Sequence, residues 1–251
     1  MAASSESVLE YFKVSSGAAD PWIMHQKWHN LLFAHWPVSI EALRPLIPAG
    51  LSLDTYKGEA WLGLIAFRLS GIRLRGFPPV PFTSSFVELN VRTYVTHQGK
   101  PGIYFLSLDA NNTLAGKIAH AWYRLAYTKA SMSLEVHEDG QINFRSERNE
   151  DKQYPARFAA SYRPTSASYY AVPGSLEYWL TERYRFYTTD RCQRLYSCEV
   201  QHDPWPLQRA EAQISENSMA TSHQLELPAT SPLLHYASTM PSLIGLLKQV
   251  L

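Results

Sequence analysis

The chain has 251 residues, 45% of them hydrophobic and 18% charged, with a formal net charge of +1. That length and mixture can bury a substantial core and exclude global disorder, and the near-neutral balance gives no electrostatic reason to expect a nucleic-acid partner. Aromatic residues reach 13%, with 15 Tyr and 7 Trp, which favours β-rich structure and aromatic-lined cavities.

No apolar run approaches the roughly 18 residues that a membrane span needs, and no h-region follows the N-terminus. The expectation is a soluble, cytoplasmic chain with no membrane partner. Cys192 and Cys198 stand without a CxxC or a Cys/His cluster, so they read as buried thiols and not as a disulfide or a zinc site.

Residues 1–21 are mostly small and polar and predict a flexible tail, with order beginning near Trp22. From 22 to 251 there is no internal repeat and no low-complexity linker, so one domain is the simpler account. Trp28 to Trp36 is apolar and aromatic. His25 and His29 have the i,i+4 spacing that a metal site on a helix would use, but no carboxylate motif accompanies them, and no metal is expected. Ser39, followed by Leu43 and Leu46, predicts a short capped helix stopped by Pro48. Residues 54–58 read as a turn, and 60–69 as a strand buried on both faces. For the proline-rich loop over 76–81, a pocket rim and a plain connector fit equally well.

Residues 86–95 alternate with period two. Val87, Leu89, Val91, Thr93 and Val95 share one face; Phe86, Glu88, Asn90, Arg92 and Tyr94 share the other. A second strand over 103–109 predicts a hairpin in which His97 faces Gly102 around a four-residue loop. In that register Asn90 faces Asp109, and Arg92 reaches Asp109 diagonally. Phe86, Tyr94 and Phe105 fall on the charged side. Aromatic residues around a few convergent polar groups suit a small-molecule pocket better than a solvated face.

Asn111 to Thr113 reads as a helix start, with Leu114, Ile118, Trp122 and Leu125 at helical spacing and a solvated basic stripe of Lys117, His120 and Arg124. Tyr127 to His137 alternates as one strand. Asp139-Gly140 leads into a further strand through a three-residue loop that sets Val136 opposite Phe144. Ser175 predicts a helix cap. Residues 184–189 and 194–202 predict a strand pair, 207–215 is open between strand and helix, and 233–239 predicts a strand. Pro241, Leu243, Ile244, Leu247 and Val250 predict a final amphipathic helix.

The phrases WHNLLFAHWPV, LRPLIPAGLSLDTYKGEAWLGLIAF, FVELNVRTYV, GKPGIYFLSLDA, PGSLEYWLTERYRFY and HDPWPLQ resemble the YqjF-like family of bacterial proteins of unknown function, from about Trp28 onward. That family is distantly similar to acetoacetate decarboxylase. The resemblance implies a mainly β fold with flanking helices: an antiparallel β-barrel or cone forming one acetoacetate-decarboxylase-like domain, with a pocket inside. Acetoacetate decarboxylase uses a lysine pair for imine chemistry, a glutamate, and an arginine that helps to bind the carboxylate. The glutamate matches Glu88. No arginine stands at Ala34-His35-Trp36, and Tyr127 and Thr128 occupy the two lysine positions, with Lys129 one residue on. The imine mechanism therefore does not carry over, whereas a related pocket does.

Two functions follow as expectations. One is an enzyme of possible lyase-like chemistry on a carbonyl or carboxylate compound, with Glu88 as acid/base, Arg92 as anion binder, and Lys129 or Tyr127 nearest the reacting carbon. The other is a non-catalytic protein that binds a small ligand in the same cavity. Tyr94, Glu182, Arg183, His202 and Trp205 are candidates to complete the site; for Glu182 a structural ion pair fits as well. No cofactor motif is present. The partner expected is a small molecule, and a homo-oligomer stays open.

Overall fold

A computed structural model describes residues 22–79, 85–112, 122–125, 127–148 and 156–250. The expected tail, most of the helix over 111–125 and the end of the proline-rich loop lie outside them.

The chain opens with β1 (Met24–Val38), in the stretch from Trp28 to Trp36 that sequence pattern left unassigned. A four-residue helix α1 (Ile40–Leu43) follows, with the Ser39 hydroxyl accepting from Ala42 N at 3.2 Å as expected. After β2 (Ser52–Leu53) and the turn at 54–58 comes β3 (Ala60–Leu74), five residues longer than its predicted apolar run. Next are β4 (Phe86–His97), β5 (Lys100–Ala110) and β6 (Tyr127–Lys129). Then follow β7 (Ser131–Val136), β8 (Ile142–Glu147) and β9 (Arg157–Pro164). Ser175 caps α2 (Leu176–Thr181) through Tyr178 N. The remainder is β10 (Arg185–Thr189), β11 (Leu195–Gln201), β12 (Gln208–Asn217), β13 (Leu233–Ile244) and β14 (Lys248–Gln249).

The fold class is the expected one, mainly β with few helices. The sheet runs β14-β11-β10-β5-β4-β3-β1-β13-β12-β9-β8-β7. Pairing is antiparallel except where β10 and β6 lie parallel to β5. A further pairing of β11 with β13, Val200 with Ile244, joins seven strands into a closed ring. Strands β12, β9, β8 and β7 continue past the ring as a wing.

Side-chain alternation then sorts the core. Leu32 and Ala34 of β1, Leu62, Leu64 and Ala66 of β3, and Val87, Leu89 and Val91 of β4 point out of the ring. They pack against Leu134, Phe144, Phe158 and Tyr162 of the wing. Leu31, Phe33, Ile65, Phe67 and Phe86 point inward with Trp205. The strand buried on both faces is thus explained: β3 has the wing on one side and the ring interior on the other.

Several expectations are corrected. The β4–β5 loop has two residues, with His97 facing Lys100, and Gln98 and Gly99 both at positive φ, as a tight primed turn requires. A bulge between Val91 and Arg92 then shifts the register, so Asn90 faces Leu108 and Leu89 faces Asp109. Asp109 is turned out of the ring interior to an ion pair with Arg148 at 2.6 Å, and the expected contact with Arg92 does not form. Residues 127–137 are two strands broken at Ala130. The following hairpin does have a three-residue loop, 138–140 with Gly140 at φ 80°, but it sits one residue earlier, so Val136 faces Ile142.

The predicted terminal helix is strand instead. Pro241 lies on β13 opposite Lys27. β12 pairs with β13 only at Tyr236 and His235, and β11 only at Ile244 and Leu243, so the missing N–H of Pro241 falls in the gap between two partners. Cys192 is exposed and only Cys198 is buried; both are free thiols. Among the described residues no helix is long and apolar enough to cross a membrane.

Candidate functional site

The inward face of β4 carries Glu88, Asn90 and Arg92 in sequence, each at least nine-tenths buried. Three polar side chains two apart on one strand must share a face, and the ring puts that face inside. They line a cavity of about 120 Å³ whose walls include Phe33, Phe67, Phe105 and Trp205. An engineered apolar cavity of about 150 Å³ holds benzene, so this one suits a body of comparable size.

Glu88 is held from β6, where the Tyr127 hydroxyl donates to its Oε2 at 2.9 Å. Burial pushes its carboxyl up to about 7, against the opposing pull of hydrogen bonds from Tyr127 and Asn90. A carboxyl half-protonated near neutrality can both give and take a proton. Burial and the neighbouring Glu88 together push the Tyr127 hydroxyl well above its ordinary range, so Tyr127 stays a donor.

Arg92 projects toward the end of the ring that α2 covers. Its Nη2 donates to Leu180 O at 3.2 Å, and the guanidinium lies 5.8 Å from the ring centres of both Phe33 and Tyr94. Among the described residues no carboxylate lies within ion-pair distance of it, and its Nε has no hydrogen-bond partner. Arg183, by contrast, is neutralised: its Nη1 meets Asp54 Oδ2 at 2.7 Å while Nε donates to Trp179 O at 2.6 Å. Arg183 also lies over Tyr94, 5.0 Å from the ring centre, and its Nη2 has no partner among the described residues. Arg185, a third cation on the lining, pairs with Glu199.

The Tyr94 hydroxyl donates to Leu180 O at 3.0 Å and lies 2.8 Å from His35 Nε2. With its one proton committed, that oxygen accepts from His35, which fixes the imidazole as the Nε2–H tautomer. Burial, then Arg92, hold His35 well below the usual range, so it is neutral, with Nδ1 unpartnered among the described residues. Gly63 sits between these groups: a Cβ there would stand 3.0 Å from the His35 ring and 3.4 Å from Arg92 Cγ. The glycine leaves the room that both side chains fill.

The remaining candidates divide. His202 lines the cavity, and burial lowers its imidazole to about 4. Trp205 is buried and stacks on Trp28 at 5.7 Å. Glu182 is not on the lining; it accepts from Trp205 N at 2.9 Å and from the Tyr184 hydroxyl, and so ties the Trp205 segment to α2. Lys129 is exposed at the end of β6 and does not line the cavity. His25 and His29 do not share a helix: both lie on β1, and His29 is held by Ser70 Oγ at 2.7 Å. Among the described residues no group of His, Cys, Asp or Glu could hold a metal ion.

Of the residues marked by the sequence, Glu88, Arg92, Tyr127, Arg183, His202 and Trp205 meet on the cavity lining, and Tyr94 packs behind it against Arg92 and Arg183. His35 and Asp54 join them from outside that set. His35 was within reach of the pattern, since Leu31, Phe33 and His35 share a face once β1 is read as a strand. Asp54 meets Arg183 across 129 residues of chain, and no local signal marks it.

The family DUF2071, described as an uncharacterized conserved protein, matches residues 25–241, and the chain belongs to that family. It is 50% identical over 216 residues to the uncharacterized protein YqjF of Bacillus subtilis (strain 168), covering 86% of this chain and 88% of that one. Among solved structures it is similar to the enduracididine biosynthesis enzyme MppR complexed with pyruvate, at a TM-score of 0.63 and 10% identity over 93% of this chain and 92% of that one. An acetoacetate decarboxylase-like enzyme from Sphingomonas wittichii RW1 gives a TM-score of 0.62 and 13% identity, over 92% and 94% of the two chains. Acetoacetate decarboxylase from Legionella pneumophila gives 0.59 and 12%, over 100% and 98%. At these identities the likeness to solved structures shows the fold alone.

Proposed function

We propose that the ring interior binds a small carboxylate compound, with the carboxylate at Arg92, and that Glu88 moves a proton on the bound molecule without a covalent intermediate. The observation that carries this reading is the state of Arg92. It is a buried guanidinium with no carboxylate partner among the described residues and an unused Nε, on the wall of a cavity whose other end holds a carboxyl that titrates near neutrality. A buried cation without a counterion is costly, and an anionic ligand removes that cost. The aromatic wall suits an apolar body, and the pyruvate bound by the structural neighbour MppR is a carboxylate of suitable size. No lysine stands among the described residues of the lining, and Lys129 is exposed, so an imine has no nucleophile there. Glu88 takes a proton from carbon adjacent to the ligand's carbonyl or returns one, and the Tyr127 hydroxyl stabilises the ionised carboxylate between the two events.

The test is calorimetric titration with pyruvate and butanoate, followed by NMR of pyruvate in D2O to follow methyl-proton exchange. Arg92→Met should weaken binding of both by 10- to 100-fold, the usual worth of a charge-assisted contact. Glu88→Gln should retain binding and lose exchange. The second reading, a binding protein without chemistry, is favoured by the absence of the lysine pair. It stands if the wild type binds carboxylates and exchanges no protons.

A further inference from the structure

The wall between Arg92 and Glu88 specifies more than a carboxylate. Asn90 lies between them on β4, 5% exposed and on the cavity lining. Its amide stands against Glu88 and helps to hold that carboxyl down. Its Oδ1 is buried, with no hydrogen-bond partner among the described residues. Each of the three neighbours on this wall therefore presents something different. Arg92 Nε is an unpaired donor, Asn90 Oδ1 is an unpaired acceptor, and Glu88 is an acid/base. An unpaired buried acceptor carries a desolvation cost of its own, which only a donor can remove.

We propose that the ligand is a small hydroxy-carboxylic acid, or the enol of an oxo acid, that places its carboxylate on Arg92 and a hydroxyl on the second or third carbon against Asn90 Oδ1. This rests on the carboxylate reading above and names its substrate class. The geometry supports the order of groups. Residues two apart on a strand are separated by roughly 7 Å, and Nε is the guanidinium nitrogen nearest the backbone, so an anion held there lies close to the Asn90 side chain. A hydroxyl one or two carbons from a carboxylate spans that gap.

The charge around the site selects among donors. Arg183 and Arg185 are paired with Asp54 and Glu199, but Arg92 has no carboxylate partner among the described residues, so an ammonium group held beside it would meet repulsion where a neutral hydroxyl meets none. A 2-amino acid is accordingly excluded as the preferred ligand. An enol hydroxyl donates in the same way as an alcohol. Asn90 Oδ1 would then accept from the hydroxyl of the enol that forms when Glu88 takes a proton from carbon and, now protonated, passes it to the carbonyl oxygen. A preference for that hydroxyl is a preference for the intermediate over the oxo acid.

The experiment uses four-carbon probes on the full chain: butanoate, 2-hydroxybutanoate, 3-hydroxybutanoate and 2-aminobutanoate, titrated into wild type and Asn90→Ala. One hydrogen bond to a buried acceptor should make at least one hydroxy acid about tenfold tighter than butanoate in the wild type. 2-Aminobutanoate should be the weakest of the four. In Asn90→Ala the ratio of hydroxy-acid to butanoate affinity should fall to about one. Equal binding of butanoate and both hydroxy acids by the wild type would overturn this inference and leave the carboxylate reading intact. So would a preference that survives in Asn90→Ala. Failure of all four probes to bind would overturn the carboxylate reading itself. The wild-type ratio is decisive even if the variant does not fold.

Discussion

Glu88 shows how much one buried side chain constrains. Its folded carboxyl titrates at about 7 against an ordinary value of 4.5. Between those values the folded state holds a proton that the unfolded chain has released, so rising pH favours unfolding across the window. A shift of that size corresponds to about 3 kcal/mol. Buried histidines act in the opposite sense. His202 and His223, both lowered to about 4, remain neutral in the fold while the unfolded chain gains protons, and their stabilisation is lost as pH falls from 6.5 toward 4. The net profile therefore mixes signs, and the comparison that isolates Glu88 is a difference. Glu88→Gln keeps an oxygen for the Tyr127 hydroxyl and removes the titration. Urea unfolding at pH 4 and pH 8 should show the variant gaining about 3 kcal/mol on the wild type between the two, nearly all of it between pH 4.5 and pH 7. A constant difference across that range would mean that Glu88 is ionised in the fold with an ordinary affinity for protons, and the acid/base role would lose its basis.

At the scale of elements, strands announced themselves where alternation was clean, and caps where a serine preceded an apolar run. β3, β4, β10, β11 and both helix caps were legible for those reasons. Position along a strand was not. The bulge at Val91–Arg92 changes which face of β5 meets the ring interior, and a bulge leaves no mark in the pattern of either strand. That one residue separates the expected Arg92–Asp109 pair from the observed Arg148–Asp109 pair, and so leaves Arg92 without a counterion among the described residues. The segment after Pro241 misled for a related reason: its apolar spacing fits a helix, and only the gap between two pairing partners makes a proline acceptable in β13. Helix α2 matters beyond its six residues, because its last carbonyls receive Arg92, Tyr94 and Arg183. Ser175→Ala removes the hydroxyl that accepts from Tyr178 N and should cost about 1 kcal/mol of stability by urea titration. Because the same helix orients Arg92, the variant should also weaken butanoate binding at constant pH. An unchanged affinity would show that the arginine is positioned by Phe33 and Tyr94 alone.

At the scale of the whole molecule, the ring and the wing share one core. Val87, Leu89 and Val91, which alternate with the site residues on β4, are buried only because the wing covers them. The strand that carries Glu88, Asn90 and Arg92 therefore owes its outer face to β7, β8 and β9. A wing that melted separately would expose that face and loosen the site. We propose that residues 22–251 unfold as one unit, because a core drawn from both parts offers no boundary with few contacts across it. Phe144 is the place to test this: it is 2% exposed on β8, makes an edge contact with Phe158 at 6.0 Å, and belongs to the shared core. Phe144→Ala should destabilise the chain by about 3 kcal/mol or more, since truncating a buried aromatic leaves a cavity that the surrounding strands fill poorly. Tryptophan fluorescence reports mainly on the ring, where Trp28, Trp36, Trp61 and Trp205 lie, whereas far-ultraviolet dichroism reports on every strand. The two urea midpoints should coincide in the wild type and move together in the variant. A dichroism transition that precedes the fluorescence transition in Phe144→Ala would mean that the wing can leave while the ring persists, and the site would then have a rigid frame independent of the strands that cover it.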